Sequence, residues 1–118
     1  MTVPILRQGR YLIVTLQPAV SDDDLSELWN GLARQIGASR ARGAIIDVSE
    51  VDVLDSFAAR TLRSIACTTR LRGASTVVVG IPPAVAFAMV RLGLTLEGVA
   101  TALDLERAVA LLEGELAP

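Results

Sequence analysis

Two short runs constrain this chain more than anything else in it. From Gly43, the stretch Ala44-Ile45-Ile46-Asp47-Val48 is apolar on both of its alternating faces, and Thr76-Val77-Val78-Val79 repeats that character. A strand with one wet face alternates apolar with polar residues, whereas a strand apolar on both faces must be covered from both sides. These runs are therefore the middle of a sheet. What lies between and after them has to supply the covering helices. Helical spacing predicts one over residues 56–71, another over about 83–92 and a last over about 104–113, where Leu105, Ala108, Val109 and Leu112 share a face. Residues 94–99 read as a final strand.

The chain before Gly43 completes the pattern. Residues 5–7 and 11–16 flank Gln8-Gly9-Arg10, a glycine-containing turn, and form an N-terminal hairpin. Ser21, with Asp24 three residues on, has the character of a capping box. Asp22, Asp23 and Asp24 put acid at the positive end of a helix dipole, and Leu25, Leu28, Trp29, Leu32 and Ile36 recur at helical spacing up to Gly37, where the helix is expected to end. After the hairpin, strands and helices alternate. The fold expected is α/β, with a mixed, mostly parallel sheet of about five strands and about four helices, joined by right-handed crossovers. No repeat, low-complexity segment or linker-like shift in composition interrupts residues 1–118, so one domain is expected.

Composition removes whole chemistries. All 11 basic residues are arginine, and there is neither lysine nor histidine. A phosphate-cradling lysine, a Schiff base, a Ser-His-Asp triad and a histidine-ligated metal are thereby excluded. Against 13 acidic residues the net charge is −2, which gives no overall field toward nucleic acid or anionic lipid. The single cysteine, Cys67, can form no internal disulfide, and MTVPILRQGR lacks the basic-then-apolar order of a secretion signal. A cytoplasmic protein is expected. Between Arg72 and Arg91 lie 18 uncharged residues, but Pro82 and Pro83 at their middle divide them into strand, turn and short helix, not a membrane span.

The chemistry concentrates in residues 45–70, IIDVSEVDVLDSFAARTLRSIACTTR, where a buried strand delivers the chain through an acidic loop to a helix start. Loops at strand carboxyl ends are where such sheets place their functional groups. The loop carries Asp47, Glu50, Asp52 and Asp55, and Ser56 stands where the helix begins. At 100° per residue, Ala58, Leu62, Ile65, Ala66 and Thr69 face the sheet, while Arg60, Arg63, Ser64, Cys67 and Leu71 face away, with Phe57 leaning outward. An outward Phe beside an exposed Ser suggests a contact surface.

Simpler roles stand beside these. Asp55 or Ser56 at a helix start is first of all an N-cap, worth roughly 1 kcal/mol. Arg60, Arg63 and Arg70 form by default a solvated face, and Cys67 is assigned no role. The four carboxylates match no calcium-loop spacing, and no metal or cofactor is expected. A hydrolase using Asp52 and Asp55 as an acid/base pair has no visible nucleophile or oxyanion site.

The order of elements, together with IIDVS, LDSFAAR around Ser56, VVVGIPPAV and LGLTLEGVATALDLERAVALL, resembles the STAS domain of anti-sigma-factor antagonists, and is most similar to their RsbS-type stressosome scaffolds. The resemblance covers roughly residues 3–112. It implies a non-catalytic binding protein of stress signalling. In such proteins the serine at the position of Ser56 is phosphorylated by a serine/threonine kinase of the anti-sigma type, which the unphosphorylated form sequesters, and a PP2C-type phosphatase reverses the mark. It further implies co-assembly with sensory STAS siblings into a large particle. From the residues themselves, docking is expected through Glu50, Asp52, Asp55, Phe57, Arg60 and Arg63, and no membrane or nucleic-acid partner is expected. Many antagonists continue with small residues after the serine, whereas this chain has Phe57-Ala58-Ala59-Arg60, a departure that favours the stressosome type. The siblings carry an N-terminal sensory domain, for which this chain has no room, and a second phosphorylatable residue that here corresponds to Val79. A STAS module of another complex, such as a lipid-transport ATPase, is the alternative.

Overall fold

The computed structural model describes residues 3–116. Five strands, β1 (Ile5–Gln8), β2 (Tyr11–Thr15), β3 (Gly43–Asp47), β4 (Ser75–Val79) and β5 (Ala100–Ala102), lie side by side in sequence order. β1 is antiparallel to β2 across a turn in which Gly9 takes φ +60°, and every other pair is parallel. Helices α1 (Asp22–Ser39), α2 (Ser56–Leu71), α3 (Pro83–Arg91) and α4 (Leu105–Leu116) make the connections and close the chain. This is the α/β architecture read from the sequence.

Register explains why both central strands are apolar throughout. Val14, Ile46 and Val78 are directly paired across three strands, and this row is sealed by α1, α2 and α3 through Leu28, Leu32, Leu62, Ile65 and Val85. The next row, Ile13, Ile45 and Val77, points the other way and meets α4 through Ala108 and Leu112. Three helices thus cover one face and a single helix the other. On the second face α4 approaches so closely that a Cβ on Gly43 would come within 2.8 Å of Leu112 Cδ1 and 3.2 Å of Tyr11 Cδ1. Burial and the nearby Glu113 carboxylate both push the Tyr11 hydroxyl above its ordinary pKa.

Two expectations from the sequence are corrected. α1 begins as expected, with the Ser21 hydroxyl accepting from the Asp24 N–H at 3.0 Å and the Asp24 carboxylate from the Ser21 N–H at 3.1 Å, which holds the Asp24 carboxyl below its usual range. It does not stop at Gly37. The helix continues to Ser39 and ends where Arg40 adopts the left-handed φ of 56°; Gly37 lies inside it, with the flexible Arg72 guanidinium over the spot a Cβ would take. The second correction concerns residues 94–99, which form a loop. Their alternation is genuine, since Leu94 and Leu96 pack against the core, but Gly93 and Gly98 have φ of +70° and +80° and bend the chain. The carbonyls of Thr95 and Gly98 accept from Arg63 and Arg70, each at 2.6 Å. Only Ala100–Ala102 remains to pair with β4. Among the described residues no helix is long and apolar enough to cross a membrane.

Because α4 alone covers its face, Leu112→Ala should lower unfolding free energy by about 2–5 kcal/mol in urea titration, the usual cost of truncating a fully buried leucine. A loss below about 1 kcal/mol would mean that α4 is not the cover described.

Candidate functional site

The connection from β3 to α2 is a loop folded around two buried plugs. After Asp47 the chain makes one further sheet bond, from the Val48 N–H to the Val79 carbonyl at 3.0 Å, and then turns back as Val51 N–H reaches the Val48 carbonyl at 3.1 Å. The Asp47 carboxylate accepts from the Ser49 N–H at 2.8 Å, so this residue closes the turn and does not project as a free acid. Val51 and Leu54 are each 2% exposed and anchor the loop in the core. Glu50, Asp52 and Val53 between and beside them are driven outward. At Gly80, φ is +76° and a Cβ would sit 3.0 Å from the Ser49 Cβ, so only glycine lets the β4 end pass this close.

At the start of α2 the two capping alternatives separate. Asp55 is extended, with φ −84° and ψ −174°, and its Oδ1 accepts from the Ala58 N–H at 2.9 Å. Asp55 is therefore the N-cap. Ser56 is the first helical residue, exposed, and its hydroxyl has no partner among the described residues. Of the first-turn N–H groups, that of Ala58 is taken by Asp55, while those of Ser56 and Phe57 have no intrahelical acceptor and leave a partial positive charge beside that hydroxyl. Arg60 is one turn further, exposed and without a partner among the described residues.

The structure revises the neighbourhood in one respect. Phe57 does not lean into solvent: it is half-buried and packs against the core cluster, while its carbonyl accepts from the Thr61 hydroxyl at 2.8 Å. The buried arc of α2 is wider than the sheet-facing row alone and takes in Ala59 and Thr61. The exposed apolar side chain at this end is instead Val53, 61% exposed at the tip of the acidic loop. Sequence reasoning passed over it, because its exposure depends on Val51 and Leu54 being the neighbours drawn inward. Arg63, expected on the open face, has its guanidinium engaged with the Thr95 carbonyl. Val79 is 2% exposed and closes β4 inside the core. Among the described residues no three acidic, cysteine or histidine side chains gather as a metal site.

An exposed hydroxyl thus stands at a helix N-terminus, beside an acidic loop, on a sheet ordered β1 to β5 in sequence. The family model of the STAS domain matches residues 3–108. The chain belongs to the STAS-domain family. Among solved structures it is similar to a serine-to-glutamate variant of RsbS from Moorella thermoacetica, with 33% identity, 97% of each chain covered and a TM-score of 0.81. It is equally similar, at 33% identity, to a chain of the stressosome, described as a signal integration and transduction hub, covering 98% of this chain and 100% of that one with a TM-score of 0.79. A putative anti-sigma-factor antagonist from Thermotoga maritima shares the fold at 12% identity, with 94% of each chain covered and a TM-score of 0.71. The comparison with curated proteins finds no match.

The cap geometry yields a stability test. Asp55→Ala should cost about 1 kcal/mol in chemical denaturation, and Asp55→Asn, which keeps an acceptor, should recover most of it. Ser56→Ala, which removes no bond, should stay within about 0.5 kcal/mol of the parent. A Ser56→Ala loss as large as that of Asp55→Ala would assign the cap to the wrong residue.

Proposed function

We propose that this STAS domain is a non-catalytic, phosphorylation-switched binding protein of the stressosome type. It holds a serine/threonine kinase of the anti-sigma class while Ser56 is unmodified and releases it once Ser56 is phosphorylated. A PP2C-type phosphatase resets the site, and sensory STAS siblings co-assemble with the chain. The observation that carries the reading is the Ser56 hydroxyl, exposed and unpartnered among the described residues at the first position of α2. Likeness over nearly the full length to RsbS and to a stressosome chain supports it. The RsbS structure carries a glutamate in place of a serine, an exchange that puts a negative charge where a hydroxyl was.

The chemistry separates the two sides of the switch. Phosphorylation adds about −1.5 to −2 charge at Ser56. Within the domain that charge meets the free N–H groups of the first turn, worth roughly 0.3 to 1 kcal/mol at an exposed site, and Arg60 is one turn away to pair with it. The fold therefore tolerates the mark. A partner seated over Ser56, Val53 and the carboxylates of Glu50 and Asp52 meets a different balance. Like charges are added to an already acidic loop, and a doubly charged group must lose its water for the contact to persist. Release proceeds without unfolding.

Incubation with the cognate kinase and ATP, followed by mass spectrometry, should place a single phosphate on Ser56. Ser56→Ala should keep its grip on the kinase in the presence of ATP, and Ser56→Asp should bind at least about tenfold more weakly, a difference of about 1.4 kcal/mol. Phosphate found elsewhere, or both variants cycling like the parent, would overturn the assignment.

A further inference from the structure

Ser56 follows the carboxyl end of β3, and three arginines surround a hollow at the other end of that strand. Arg42 immediately precedes β3, Arg40 ends α1 and Arg72 ends α2. With Gly37, Leu71 and Gly73 they line a concavity of about 480 Å³, and no acidic residue is among those that line it. Among the described residues none of the three guanidiniums has a hydrogen-bond or carboxylate partner. The main chain beneath them is held on both sides. Ala41 is buried, the Arg42 N–H reaches the Arg10 carbonyl at 2.7 Å, and the Arg42 carbonyl accepts from the Ser75 N–H at 3.2 Å. Across the hollow, the N–H groups of Gly73 and Ala74 bond back to the carbonyls of Arg70 and Thr69 at 3.0 and 2.9 Å. Like charges gathered at fixed places repel one another, and no described carboxylate neutralises these.

Two features set this cluster apart from a solvated surface. Arg40 is the only residue other than glycine, among those described, with a positive φ. Helices commonly end on a residue in that left-handed conformation, but it is usually glycine, which escapes the Cβ clash that an arginine meets there. A guanidinium is thus kept where the backbone favours a residue without one. In addition, Gly37 leaves the place of its side chain to the Arg72 guanidinium, which brings a charge from the end of α2 across to α1. Helix electrostatics accounts for a cation at each helix end. It does not account for Arg42, which lies outside both helices, and three full charges exceed the two helix ends, at about half a charge each.

We propose that this hollow binds a small organic molecule bearing a doubly charged oxyanion, the chemistry of a phosphate monoester. Guanidinium groups present planar pairs of N–H donors that match phosphate oxygens, and a dianion neutralises most of the charge that three of them bring together. The volume falls within the range of small-molecule sites and leaves room beyond the oxyanion itself. Leu71, which is 88% exposed, offers apolar surface to the rest of the molecule. The site shares no residue with the β3–α2 loop, so it stands or falls separately from the phosphoswitch.

Titration of the isotope-labelled chain with phenyl phosphate, inorganic phosphate and phenol at constant ionic strength, read by amide NMR, tests it. Phenyl phosphate should shift the amides of Gly37, Arg42, Arg72 and Gly73 saturably. Inorganic phosphate should shift the same amides with about tenfold weaker affinity, for want of the apolar contact, and phenol should shift none. Arg42→Ala and Arg72→Ala should each weaken phenyl phosphate binding at least about tenfold, with circular dichroism confirming that both are folded. Arg40→Gly should weaken it likewise and yet raise the urea midpoint, because glycine suits the left-handed position. An Arg40→Gly chain less stable than the parent would return that arginine to a structural role and overturn the proposal. So would an absence of saturable shifts, shifts centred elsewhere, inorganic phosphate bound as tightly as the ester, or arginine variants that bind like the parent.

Discussion

Everything in this molecule rests on burying β3 and β4 from both sides. Ile45, Ile46, Val77 and Val78 are fully enclosed, and neighbours in sequence are enclosed by different layers. A one-residue slip of either strand would exchange the two rows and present the α4 face with the set shaped for α1 and α2. The hydrophobic pattern therefore fixes register as well as topology. Once register is fixed, the carboxyl ends of β3 and β4 stand together, which is why the Val48 N–H finds the Val79 carbonyl and why Gly80 must clear Ser49. The acidic loop is thus held in place by its base.

That loop shows how a rigid position for an exposed group is made without a rigid surface. Val51 and Leu54 are drawn into the core, and the Asp55 carboxylate ties the chain to the first turn of α2. Three anchors within five residues leave little freedom for Ser56, yet none of them uses its hydroxyl. The division of labour is chemical. Asp is an acceptor at the cap, and capping by Asp55 frees the serine one position later from that task. Had Ser56 been the cap, its oxygen would have been committed to a backbone N–H, and modifying it would have cost the helix its terminus.

What was legible in the sequence follows from the same physics. The central strands, the hairpin, the Ser21 capping box and the span of α2 each rest on a local signal that tertiary structure had no reason to override. Gly37 is not the terminator because the left-handed residue that ends α1 is Arg40, and residue type does not mark an arginine for φ 56°. Residues 94–99 were misread as a strand because Leu94 and Leu96 do alternate inward; what cancels the ladder is the capture of their loop's carbonyls by Arg63 and Arg70 from α2. Phe57 was misplaced since a helical wheel treats the first turn as if it lay over the sheet like the rest, whereas there the core reaches around the helix end. In the site, the serine and its acidic setting were readable from residue type and spacing. Val53 was not, because exposure in a loop depends on which neighbours are pulled inward.

The same separation of roles bears on how the proposed switch could both hold a partner and let it go. The helix terminus stabilises an anion wherever its solvent remains, while a covering protein removes that solvent and brings its own surface to an acidic rim. In the proposed switch, a charge added at Ser56 is favourable or neutral to the free domain and unfavourable to a covered one, and the difference between these two environments would drive release. Such a switch would need no conformational change to transmit it, because the Ser56 hydroxyl is itself on the surface. A fold pinned by double-sided burial far from this edge is suited to such a task, since its stability does not depend on the state of the one hydroxyl it holds out.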